Sequence, residues 1–441
     1  MSATAASQRL SVGPLALAKG ARLHDVEVAY ATYGRLAPDG RNAILATHGY
    51  TASHLMLAHG AGVAEGSWAP LIGPGKPLDT DRYFIVCSNM LGSSYGTTGP
   101  GSIDAATGAP YGADFPDITL ADIVEVQHRL LQRLGVRHLR AVVGSSFGGF
   151  QALQWSLDHP DWVDAIGVIV SAPYMPPGEH GSLEVLQAAL GANPAWNGGR
   201  CATPGAMVPT LEELRLATMD AYGMRAVLES RGFAGEELAA RSRAMAAASA
   251  REFDPHSLVV LLKAARAFDA RERLAEVRAD VLYVVADTDK LFPPDPAVQA
   301  AMARTRGPRP MRYLEMRTDF GHSATRPPAP AMPCGARRCA SCSKAEQAAP
   351  SSRSASTRCP CPGGSAPGHG SSWCSSAGRI CVARRPRRKA VVAPVQASLR
   401  SGADRARGAR RRSCRSSSRG ARAAAPGQGS RPQAVRSRAH P

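Results

Sequence analysis

Gly144-Ser-Ser-Phe-Gly148 stands between a strand-like run, Leu139–Val143, and a stretch patterned as a helix, Phe147–Leu157. No other feature constrains the chain as much. A G-x-S-x-G in that context demands a sharp turn from strand to helix around a serine, and the flanking glycines let the backbone make it. The turn lifts the Ser146 hydroxyl clear of the strand end and sets it at the positive, N–H-rich start of a helix. Ser146 is therefore the candidate nucleophile, and the chain around it must supply a sheet with helices on its faces.

The first 323 residues have that pattern. Leu23–Tyr33 alternates apolar and polar residues like a half-buried edge strand, and 42–47 and 83–88 are short apolar runs like buried strands. From Thr119, a candidate N-cap, Leu120, Ile123, Val124, Leu130, Leu131 and Leu134 recur at helical spacing until Gly135 stops the helix. Further strands are expected at Leu139–Val143, Ala165–Val170, Val281–Val285 and Arg312–Met316, with helices at Phe147–Leu157 and near 295–304. Strands alternating with helices read as an α/β fold with a mostly parallel central sheet. Residues from about 178 to 269 are Ala-, Leu-, Glu- and Arg-rich and helical in pattern. An insertion of that size between two sheet strands reads as a helical lid.

A serine nucleophile needs a base, and the base an orienting carboxylate. The strand ending at Val285 runs into Asp287 and Asp289, and the strand ending at Met316 is followed by His322. Ser146, Asp289, His322 is the chain order expected for such a sheet. Asp287, nearer the strand end, is the rival acid. His128 and His159 read as structural or exposed, and His48 and His54 follow too early a strand for a general base. The loop after strand 42–47 is expected to lend one N–H to an oxyanion hole, from Tyr50, with the second from Phe147. No residue pattern in this body calls for a metal.

Charge and cysteine divide the chain at Ser323. Residues 324–441 hold 24 basic and 2 acidic side chains, against 29 and 33 in residues 1–323, so the whole formal charge of +18 arises from +22 in the last segment and −4 before it. Eight of the 10 cysteines also lie there. With one Leu, one Ile, five Val and a single aromatic, Trp373, the segment has too little apolar surface to offset its backbone entropy, and disorder is expected. Near-absence of acids with Arg and Cys enriched is also what a frameshift product of a GC-rich gene would give. Its arginines would hold polyanions without sequence preference, so no specific nucleic-acid binding is expected. Prolines at 327, 328, 330 and 333 bar a helix after the histidine loop, which would leave one sheet face uncovered. Two isolated cysteines in the body, no leader pattern and no run of ~20 apolar residues make a cytoplasmic protein the expectation, with no membrane partner.

Several longer runs resemble homoserine O-acetyltransferases. They are Leu71–Asn89, Gly99–Ser102, Pro110–Pro116, Asn193–Gly199 and Asp289–Pro294. The resemblance covers about residues 10–323 and implies an α/β-hydrolase domain over 1–323 with the lid inserted in it. It implies a homodimer acting on small-molecule substrates in amino-acid (methionine) biosynthesis. It also implies ping-pong transfer of acetyl from acetyl-CoA, a co-substrate rather than a bound cofactor, to the hydroxyl of homoserine. Ser146, Asp289 and His322 match the family's triad positions. Two positions depart. The family carries an Asp directly after the catalytic His and an Arg after an Ala in the lid, for the amino acid's ammonium and carboxylate; here these are Ser323 and Thr218. Arg215 is the candidate replacement for substrate binding, and Asp319 another nearby charge. Losing the anchors leaves open an esterase that passes the acyl group to water. An inactive or polyanion-binding protein acting through the basic segment is the third possibility.

Overall fold

The structure is a computed structural model that describes residues 6–58, 67–178, 182–201, 203 and 205–325. The strands are β1 (Gln8–Ser11), β2 (Leu15–Ala16), β3 (Arg22–Leu23), β4 (Glu27–Tyr33), β5 (Ala43–Thr47), β6 (Phe84–Ser88), β7 (Leu139–Ser145), β8 (Ala165–Ile169), β9 (Asp280–Ala286) and β10 (Arg312–Met316). Eight of them form one sheet in the order β1-β4-β6-β5-β7-β8-β9-β10, and β2 pairs with β3 in a separate ribbon. The ladders from β6 to β10 are parallel; β1–β4 and β4–β6 are antiparallel. The α/β expectation holds in this arrangement.

The run read as one edge strand, Leu23–Tyr33, is two strands, and β4 is not an edge. Residues 24–26 break it, Leu23 pairs with Leu15, and the true edge is β1 against β4. The four residues of β1 are mostly exposed, so no apolar alternation announces them.

Helix α1 (Leu120–Arg133) begins as expected. Thr119 Oγ1 accepts from the Asp122 N–H at 3.2 Å, and the Asp122 carboxylate accepts from the Thr119 N–H at 2.8 Å, a reciprocal capping box. It ends at Gly135, whose φ of 82° lets the Val136 N–H reach Leu131 O and its own N–H reach Gln132 O. Together with α2 (Phe147–Asp158), α1 packs into the main core around Trp155, Phe150, Leu130 and Ile123.

The insertion carries α3 (Leu183–Gly191), α4 (Val208–Ala221), α5 (Met224–Ser230), α6 (Gly235–Glu252) and α7 (Pro255–Ala267). Its two ends are clasped: Ala270 N–H donates to Pro173 O at 2.7 Å, and Tyr174 bridges Asp269. Two small apolar clusters of its own hold it, around Met219, Val227 and Leu228 and around Leu190, Leu211 and Ala250. Helix α7 belongs to the main core through Val260, Leu261, Ala264 and Ala265, which fixes the lid to the sheet domain. A last helix, α8 (Pro296–Met302), separates β9 from β10.

Among the described residues no helix is long and apolar enough to cross a membrane. The expected basic disordered segment and the expected loss of a closing helix fall on residues 326–441, outside the described residues.

Candidate active site

Ser146 lies between the last residue of β7 and the first of α2, with φ 57° and ψ −125°. A non-glycine residue at that φ is strained and persists only where the surroundings over-determine it. Here both its peptide groups are tied: its N–H donates to Ile169 O at 2.9 Å, and its C=O accepts from Ser171 Oγ and from the Gly149 N–H, each at 2.8 Å. The flanking glycines are required by contact. A Cβ on Gly144 would lie 2.1 Å from Thr47 Oγ1, and one on Gly148 would lie 2.2 Å from Thr47 O.

The expected acid and base converge from the two adjacent strand ends. Asp289 and His322 are both buried, and His322 Nδ1 lies 2.9 Å from Asp289 Oδ2. The other carboxylate oxygen of Asp289 accepts from the N–H groups of Leu291 at 2.9 Å and Phe292 at 3.2 Å, which fixes its plane. With Nδ1–H donating to the carboxylate, Nε2 is left with its lone pair. The ring is packed by Tyr222 and Phe292, with centroids 4.7 and 5.6 Å away.

Asp287, the rival acid, is exposed and bonds elsewhere. Its Oδ1 accepts from the Thr318 N–H at 3.0 Å, while Thr288 Oγ1 donates to Thr318 O at 2.6 Å and accepts from the Gly321 N–H at 3.1 Å. Asp287 and Thr288 thus lace the acid loop to the histidine loop.

Tyr50 and Phe147 lie beside Ser146 in a small apolar cavity that also takes in Met175, Tyr222 and Phe292. As the first residue of α2, Phe147 has an N–H with no carbonyl one turn back in the helix. The Tyr50 ring stacks on Phe147 with centroids 6.3 Å apart, and its hydroxyl donates to Leu258 O in α7. Burial pushes the Tyr50 phenol well above its ordinary range, and Tyr222 adds to the effect.

A larger cavity of about 190 Å³ opens under the lid and shares Tyr50, Tyr222 and Leu262 with the first. Its wall is mostly apolar, with Arg215 as its charged residue. Arg215 is buried, and its Nη1 donates to Thr51 Oγ1 at 2.8 Å. Thr218 lines the same cavity one turn further along α4, with its hydroxyl donating back to Leu214 O at 2.7 Å. Arg215, three residues before Thr218 and near the same helix face, thus brings a guanidinium to the wall of this cavity. Asp319 is exposed on its loop. Ser323 is buried, and its hydroxyl has no partner among the described residues.

Away from these cavities, Glu125, His128 and His159 bring three metal-ligating side chains within 4.8 Å of one another. Glu125 is already engaged by Arg129 at 2.7 Å, and His128 packs edge-on against Trp162.

Residues 42–324 match the family model for the alpha/beta hydrolase fold. Over 333 residues the chain is 36% identical to the homoserine O-acetyltransferase of Methanosphaerula palustris, covering 70% of this chain and 68% of that protein. The chain belongs to the homoserine O-acetyltransferase family of α/β hydrolases. It is also 35% identical to a homoserine O-succinyltransferase of Halothiobacillus neapolitanus, over 70% of this chain and 83% of that one. The crystal structure of esterase E22 superposes with a TM-score of 0.63 at 25% identity, over 72% of this chain and 95% of that one. Proteins with three differently named activities thus resemble this chain, so the fold alone does not name its reaction. The sequence points to Ser146, Asp289 and His322 by placement at strand ends. Buried residues that brace the elbow and the loop after β5, Thr47, Ser171 and Gln151, carry no such signal.

Proposed function

We propose that this chain is a serine-dependent O-acyltransferase that moves an acyl group from a CoA thioester to the hydroxyl of homoserine. His322 Nε2 takes the Ser146 Oγ proton as Oγ attacks the thioester carbonyl; the C–S bond then breaks, and His322 returns the proton to the departing thiol. The acceptor hydroxyl, deprotonated in turn by His322, attacks the acyl-serine and releases the O-acyl product with Ser146 regenerated. Asp289 holds the imidazole in the Nδ1–H tautomer and stabilises the imidazolium. The N–H groups of Tyr50 and Phe147 stabilise the oxyanion in both halves. Arg215 offers its guanidinium to the acceptor's carboxylate. No bound cofactor takes part, and the reading carries with it a homodimeric cytoplasmic enzyme of methionine biosynthesis.

The observation that carries this reading is the buried Asp289–His322 pair at 2.9 Å, set beyond the ends of β9 and β10 in the same parallel sheet as β7, whose elbow holds Ser146. Acetyl is the donor we favour, from the family name. Incubating the chain with acetyl-CoA or succinyl-CoA, with and without homoserine, tests it. Homoserine-dependent release of CoA, lost in Ser146→Ala, is expected, and the faster thioester names the donor. Release that ignores homoserine identifies instead a hydrolase, a reading favoured by Ser323 standing where the family places an acid. No release by the wild type removes both readings.

A further inference from the structure

Trp155, Gln127, Gln151 and His48 are wholly buried and joined in one chain of hydrogen bonds. Trp155 Nε1 donates to Gln127 Oε1 at 2.8 Å, Gln127 Nε2 to Gln151 Oε1 at 2.7 Å, and Gln151 Nε2 to His48 O at 3.1 Å. The direction of this chain is forced from its far end. An indole can only donate, so Gln127 must present its oxygen to Trp155 and its amide nitrogen to Gln151. Gln151 in turn presents its oxygen to Gln127 and its nitrogen to the backbone. The Gln151 amide nitrogen therefore faces the His48 carbonyl, two residues before Tyr50, with Met90 Sδ at 3.0 Å and Phe147 O at 3.4 Å as its other acceptors.

The next carbonyl is held as well. His48 Nδ1 lies 2.9 Å from Gly49 O, and a carbonyl only accepts, so the proton is on Nδ1. Burial pushes His48 down to about 4, which keeps the ring neutral at pH 7. In a trans peptide the C=O and the following N–H point in opposite directions, so fixing the Gly49 carbonyl fixes the Tyr50 N–H. Gly49 has no side chain to restrict its own backbone, and the two held carbonyls on either side of it replace that restriction.

We propose that His48 and the buried amide chain Trp155–Gln127–Gln151 are positioning residues that lock the two peptide units before Tyr50 and aim its N–H at the oxyanion. The inference rests on the acyl-transfer reading and on Tyr50 as an oxyanion donor. Mis-aiming a donor weakens binding of the transition state more than of the ground state, so the effect falls on kcat.

The test uses the full chain and p-nitrophenyl acetate, a substrate that reports acylation whether the natural acceptor is homoserine or water. Gln151→Met and His48→Leu are expected to lower kcat by about 10- to 100-fold with KM within about threefold of wild type. His48→Asn restores an amide N–H near the position of Nδ1 and is expected to recover kcat to within about fivefold of wild type. Thermal melting of each variant accompanies the kinetics, since a residue that only fills the core would lower Tm and leave kcat alone. If Gln151→Met does not fold, the two His48 variants decide. A kcat within about twofold of wild type in the variants that lose the bond, or His48→Asn no better than His48→Leu, overturns the inference while leaving the acyl-transfer reading intact. A wild type that turns over neither this ester nor a CoA thioester overturns the reading itself and the inference with it.

Discussion

His322 and Asp289 meet at 2.9 Å through Nδ1 and Oδ2, and the second oxygen of Asp289 is spent on two backbone N–H groups. The carboxylate therefore cannot rotate away, and the imidazole is presented in one tautomer. Asp289→Asn would put an amide that donates against the same Nδ1–H and favour the wrong tautomer. A fall in kcat of about 10⁴-fold is expected, the scale known for the same change in a serine-protease triad. Asp287→Asn should stay within about tenfold of wild type, because Asp287 is exposed and its bond to the Thr318 N–H only braces the loop. Steady-state kinetics on the two variants check this; the reverse ranking would move the acid to Asp287.

Arg215 is the charged residue in the wall of the larger cavity, and its Nη1 is steadied by Thr51. A charge-assisted bond to an acceptor carboxylate contributes about 1.5–3 kcal/mol, or roughly 10- to 150-fold in affinity. Arg215→Met keeps the apolar stem and loses the fork, so KM for homoserine should rise by about that factor. Turnover of a simple acetyl ester, which has no carboxylate to hold, should change by less than about threefold. Equal losses on both substrates would instead mean that Arg215 acts by holding α4 to the Thr51 loop.

What the sequence discloses here is local, and what it conceals is long-range. The elbow at Gly144–Gly148, the capping box at Thr119 and Asp122, and the Gly135 stop are decided by residues within a few positions of one another. The positions of strands β5 to β10 along the chain are marked by short runs between turn residues, whereas their order in the sheet, with β5 between β6 and β7, is not. By contrast, β1 is four mostly exposed residues whose pairing with β4 bridges 16 to 22 positions, and nothing within it marks a strand. Whether Asp287 or Asp289 meets His322 depends on a turn, in which Asp289 accepts from its own loop, that spacing alone does not fix. Gln127 and Gln151 look like surface glutamines on two helix patterns. Only the packing of α1 against α2 reveals that they bond each other in the core.

Ser323 is buried and its hydroxyl lacks a partner among the described residues, at the position where the resemblance to homoserine O-acetyltransferases implies an acid. Ser323→Asp places a charge where little water reaches it. Without a cationic partner this should destabilise the free protein by about 1–3 kcal/mol, seen as a lower Tm. If the acceptor brings an ammonium group, homoserine should restore part of that loss and raise the ratio of transfer to hydrolysis. Measuring Tm with and without homoserine, alongside that ratio, checks both halves. A Tm that falls and ignores homoserine, with the ratio unchanged, would mean that the acceptor carries no cation to this site.

His48, His54 and His159 should make the fold sensitive to mild acid. Burial is the main cause in each case and holds each at about 4, with His48 and Arg9 adding to the effect on His54 and His128 adding to it on His159. In the unfolded chain the same rings titrate near 6.5. Between roughly pH 6.5 and 4 the unfolded state therefore binds more protons than the folded one, so stability rises with pH and falls on acidification. Each ring contributes up to about 1.4 kcal/mol per pH unit inside that window and nothing to the slope above it. His54 shares its Nε2 with Ser7 Oγ at 2.8 Å. His54→Gln keeps a polar group near that atom and removes the titration. Urea midpoints measured from pH 7 to 4 should fall less steeply in this variant than in wild type, by close to one proton's slope. Parallel curves for the two proteins would show that His54 takes up its proton without unfolding.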